Sequence, residues 1–125
     1  MWSHRFHARQ RMMAALNLTP EQKTKAESIF GQAREASKPA RMELRKNREA
    51  MAGAIKANDR PEIAKLAVEG GRLTAKLDTN RAEAMAKFYQ TLTPSQKAKA
   101  DEMHAKMQAR MRQFRNEHRG TSLGE

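Results

Sequence analysis

Two stretches, LNLTPEQ from Leu16 to Gln22 and TLTPSQ from Thr91 to Gln96, spell the same helix start seventy-odd residues apart. In the first, Thr19 is suited to cap a helix and Pro20 to its first position, where no amide hydrogen is needed. Gln22 stands three residues after the cap, placed to return a hydrogen bond to it. Thr93, Pro94 and Gln96 repeat the arrangement, and Leu18 and Leu92 precede the two boxes. Asp59 supplies a third start, with Pro61 in the first turn and Glu62 three residues on. None of the three opens into strand-like alternation. The chain is therefore read as all-α, with helices over about 3–16, 20–57, 60–91 and 94–117. Residues 1–119 form one helical domain in this reading, and 120–125 a disordered C-terminal tail.

Apolar residues keep helical spacing along each long segment. Ile63, Leu66, Gly70, Leu73, Leu77, Ala84 and Phe88 form the cleanest stripe, interrupted by Arg81. Ile29, Ala33, Ala36, Ala40, Leu44, Met51 and Ile55 form a looser one in the second helix. Ala100, Met103, Met107, Met111 and Phe114 form another in the fourth. Gly70-Gly71 and Ser37-Lys38-Pro39 weaken the helices they fall in, so each is expected to bend its helix rather than end it. A helix of about 38 residues is about 57 Å long, against a radius of gyration of about 14 Å for a compact chain of this size. Such helices overhang any core that one copy can build. A homodimer of long, bent helical hairpins follows as the expected assembly.

Charge and composition narrow the functional classes. Lys and Arg number 25 against 14 Asp and Glu, a net charge of +11, and there is no cysteine. Disulfides, thiolate metal sites and cysteine nucleophiles are excluded together, while acidic partners are favoured. No apolar run is long enough to span a membrane, and MWSHRFHARQ has no signal-peptide core. The chain is thus expected to be cytosolic, or to have had a targeting segment or anchor removed.

The paired LTxxQ boxes, with the LNLT start, the turn at Ala57 to Asp59 and the aromatic pair Phe88-Tyr89, resemble the Spy/CpxP family of bacterial periplasmic stress proteins. The resemblance runs from about Met12 to Phe114. It implies an all-helical, cradle-shaped antiparallel homodimer in the periplasm. Better-known members are chaperones that hold unfolding proteins without ATP on a concave basic and apolar surface, and others bind or sense metals.

The residues fit a client-holding surface on the second and third helices. Arg34, Lys38, Arg41, Arg45, Lys46 and Arg48 surround Met42, Leu44, Met51 and Ile55, with Leu66 and Leu73 on the third helix. Cations raise encounter rates with acidic segments, and unbranched methionines repack against many shapes. The competing assignment puts the apolar residues in a dimer seam and the cations on a solvated outer face. No GxxxxGK motif is present, so no nucleotide or other cofactor is expected.

Three rival functions carry less. A metal site would draw on His4 and His7, three apart, or on His104 among Met103, Met107 and Met111, yet two histidines do not close a site. Specific nucleic-acid binding lacks a recognition motif and stacking aromatics, since the chain has one Trp and one Tyr. An enzyme is the weakest reading: the carboxylates Asp101 and Glu102 are adjacent, so on a helix they point apart.

Overall fold

A computed structural model describes the backbone of residues 2–122 and the side chains of residues 9–119. Its elements are α1 (Trp2–Ala15), α2 (Pro20–Lys56), α3 (Arg60–Gln90) and α4 (Pro94–Ser122), with no strand among the described residues. These bounds agree with those expected from the caps to within a residue, except that α4 runs on to Ser122. No helix among the described residues is long and apolar enough to cross a membrane.

The caps form as their chemistry dictates. Thr19 N donates to Gln22 Oε1 at 2.9 Å, and Gln22 N donates to Thr19 Oγ1 at 3.2 Å. Thr93 and Gln96 make the same two bonds at 2.9 and 3.2 Å. At α3, Glu62 N donates to Asp59 Oδ1 at 3.3 Å. The preceding helices end on asparagines in the left-handed region, Asn17 at φ 53° and Asn58 at φ 51°. At the second, Asp59 N donates to Ala54 O and Asn58 N to Ile55 O. That pair of bonds is a Schellman closure, which satisfies carbonyls that the helix end would leave open.

The chain divides into two compact units, residues 23–91 and residues 1–22 with 92–125. In the first, α2 and α3 lie antiparallel, because contacts that move up α2 move down α3. Phe30 meets Phe88 with ring centroids 5.5 Å apart, Ser37 Oγ accepts from Asn80 Nδ2 at 3.1 Å, and Asn47 Nδ2 donates to Leu66 O at 3.0 Å. Ala26, Phe30, Ala40, Ala54, Leu73, Ala84 and Phe88 are buried along this seam. Four of the seven are alanines, which let two helices approach closely.

The expected α3 stripe holds, with Asn80 filling the gap left by the exposed Arg81. The α2 stripe needs correction. Ala36 and Ile55 are exposed, and their places on the inward face are taken by Ser37 and Ala54. That face runs Ala26, Phe30, Ala33, Ser37, Ala40, Leu44, Asn47, Met51 and Ala54, a strict alternation of three and four. Helix α2 continues through Pro39, and α3 through Gly70 and Gly71.

In the second unit Leu16, Leu18 and Leu92 are buried, and so is the polar Gln22 at 9% exposure. Gln22 Nε2 donates to Gln96 Oε1 at 2.7 Å, and Gln96 Nε2 donates back to Gln22 Oε1 at 3.0 Å. Gln96 Nε2 also reaches Leu16 O at 3.3 Å. Each glutamine thus completes its own cap and clasps the other. The two boxes do more than start helices, which spacing alone does not reveal. Among the described residues no buried side-chain nitrogen or oxygen lacks a partner.

Candidate functional site

One flank of α2, a residue round from the inward face, carries the charge. Arg34, Lys38, Arg41, Arg45 and Arg48 are all exposed and follow one another at intervals of four, three, four and three. At roughly 100° per residue this spacing holds them within a stripe about 80° wide and about 21 Å long. Lys46 is exposed further round the helix. From Arg34 to Arg48 these six cations face only Glu35 and Glu43. Lys38 Nζ lies 4.0 Å from Glu35, an exposed pair that holds little energy in water.

Arg41 is the most constrained of the cations. Pro39 has no amide hydrogen and so interrupts the α2 ladder. Close to that break, Arg41 Nη2 donates to Arg34 O at 3.1 Å, which ties the guanidinium to the backbone. The stripe is therefore tied to the backbone at its middle.

Apolar area accompanies the charge. Met42 is 57% exposed, one turn from Lys38 and beside Arg41 and Arg45, and Ile55 is 61% exposed at the far end of α2. Leu44, Met51 and Leu66 are half-buried in the seam. Leu73 is 2% exposed, a core residue in this chain rather than part of any surface. The expected set therefore separates into an exposed group, the five cations with Met42 and Ile55, and an inward group that supports it.

Arg72 links α3 back to α2. Its guanidinium lies 2.6 Å from Glu69 and 3.6 Å from Glu43. The hydrogen bond from Arg72 holds the Glu69 carboxyl below the usual carboxylate range, and the Glu69 carboxylate raises Arg72 in turn. These contacts engage Glu43 and Glu69 with Arg72, a cation outside the α2 stripe.

The metal candidates are His4, His7 and His104. His104 is exposed and Met103 half-buried, while Met107 and Met111 are exposed on α4. Among the described residues no three histidine, aspartate or glutamate side chains group to hold a metal. The side chains of His4 and His7 lie outside the described residues.

A family model described as LTXXQ motif family protein matches residues 5–104, which include both boxes and the whole of α2 and α3. Neither the curated proteins nor the solved structures compared with the chain match it.

Proposed function

We propose that this chain, which belongs to the LTXXQ motif family, the family of Spy/CpxP-like proteins, is an ATP-independent periplasmic chaperone. It holds unfolded or partly folded clients on the basic, methionine-bearing surface of α2. The observation that carries this reading is the exposed stripe Arg34, Lys38, Arg41, Arg45 and Arg48 with Met42 and Ile55 beside it. Cations on one face attract acidic and partly unfolded segments over a distance comparable with the Debye length, and the flexible thioether then accepts varied apolar contacts. Release follows when the client folds and buries the groups it had exposed. A homodimer, expected from helices that overhang one core, doubles this surface; sedimentation tests that assembly, with a stable monomer refuting it.

Light scattering of a chemically denatured client, diluted into buffer with a few-fold molar excess of the chain, tests the activity. Suppressed scattering is expected, along with slower capture at raised salt. Replacing Arg34, Arg45 and Arg48 by Gln should slow capture, and Met42→Ser with Ile55→Ser should weaken the complex once formed. An unchanged scattering trace in the presence of the unaltered chain refutes the reading.

A further inference from the structure

We propose that the outer part of α4, residues 104–119, docks on an anionic lipid surface. The inference does not rest on the client-holding reading, and the segment starts where the family match ends. Every residue from His104 to Arg119 is exposed. Helices of water-soluble cores bury one face, so a helix wet on all sides yet carrying an ordered apolar stripe calls for an occupant.

The stripe is well defined. Met107, Met111 and Phe114 are 52%, 58% and 60% exposed. With His118 they fall within about 60° of one another around the helix. The His118 ring stacks on Phe114 with centroids 4.0 Å apart, and its Nδ1 lies 3.0 Å from Phe114 O, so the aromatic end is held in place. Arg110 and Arg115 flank the stripe on opposite sides and line one shallow depression with Met111 and Phe114. Over the whole segment five Lys and Arg residues stand against a single Glu, Glu117.

This chemistry selects the partner. A narrow apolar line bordered on both sides by long cations suits a helix lying in the plane of a bilayer, with thioethers and ring among the upper acyl chains. The guanidinium groups then reach outward to phosphate headgroups. At about 24 Å the segment is too short, and too charged, to cross a bilayer. Nucleic acid would use the charge and leave the apolar line wet. A second copy laid along the same line would bring Arg110 and Arg115 of each copy against those of the other.

Vesicle co-sedimentation with the full chain tests the proposal. Binding is expected to vesicles containing phosphatidylglycerol and not to pure phosphatidylcholine, and it should fall steeply as salt rises. A cation near an anionic surface is worth about fivefold in partitioning, so Arg110→Gln with Arg115→Gln should weaken binding about 25-fold. Phe114→Ser with Met111→Ser should also reduce binding, with helicity by circular dichroism unchanged because both side chains are exposed. Equal binding to both vesicle types overturns the proposal, as does insensitivity to both sets of substitutions. So does preferential binding of an acidic peptide or a DNA duplex in competition with the anionic vesicles. Self-association that Phe114→Ser abolishes would assign the stripe to a second copy instead.

Discussion

Replacing the two clasping glutamines singly and together measures whether the paired boxes act as one device. Of the hydrogen bonds described above, Gln22→Ala removes three: the one closing its own cap and the two exchanged with Gln96. Gln96→Ala removes four, since Gln96 also reaches Leu16 O. At about 1 kcal/mol per bond, the single replacements should cost about 3 and about 4 kcal/mol. The doubly substituted chain loses only five distinct bonds, about 5 kcal/mol, because the two cross-bonds are removed once. The coupling energy is therefore about 2 kcal/mol, within the range for residues that share a network. Urea unfolding followed by far-ultraviolet circular dichroism, with all four chains at one concentration, yields the cycle. If the two costs simply add, within about 0.5 kcal/mol, the boxes are independent caps and the clasp contributes nothing.

Other expectations follow from single positions. A methyl group added at Gly71 meets nothing within 4 Å, whereas one at Gly70 comes 3.0 Å from Asn47 Oδ1. Gly71→Ala should stabilise the chain by about 1 kcal/mol, and Gly70→Ala should forfeit that gain because Asn47 is displaced from Leu66 O; equal melting temperatures would refute this account of the seam. Asn58 holds a left-handed conformation, so Asn58→Gly should be nearly neutral and Asn58→Val should cost about 1–2 kcal/mol in urea unfolding. Glu69 and Glu102 are held below the usual carboxylate range, first by hydrogen bonds from Arg72 and Lys106. Their stabilisation is present above the unfolded carboxylate pKa and is lost as pH falls through the lowered folded values. Thermal unfolding across that acidic window should therefore be less pH-dependent in Glu69→Gln with Glu102→Gln, and an identical profile would refute it; both sites are exposed, so the change is small.

Helix starts were legible in the sequence because capping is local: Thr19, Asp59 and Thr93 act within three residues of themselves. The α3 stripe was legible because its inward face is almost wholly apolar. On α2 the inward face includes Ser37 and Asn47, polar residues satisfied by Asn80 and by the Leu66 carbonyl. A pattern of apolar residues alone passes over them and drifts to Ala36 and Ile55. Leu73 was misplaced for a related reason: hydrophobicity marks both a core residue and a sticky surface, and only packing tells them apart. The cationic stripe on α2 could be counted from the sequence. That Arg41 is tied to Arg34 O could not, because the acceptor lies seven residues back and the bond depends on how a long side chain folds along the helix.

The clasp between Gln22 and Gln96 also bears on the order in which the chain acquires its structure. Its partners are 74 residues apart, and the length-dependent part of closing such a loop costs about 4 kcal/mol. The three hydrogen bonds that span it, at about 1 kcal/mol each, do not by themselves offset that. Pairing within residues 23–91 lowers that cost, because Phe30 against Phe88 brings their ends together and leaves only a short closure. On this account the glutamines meet after the hairpin has paired, and the same bonds open before it does. Amide exchange at Thr19 and Thr93 should accordingly be faster than exchange in the middle of α2 and α3, a sign of a chain whose ends can part while its hairpin stays folded.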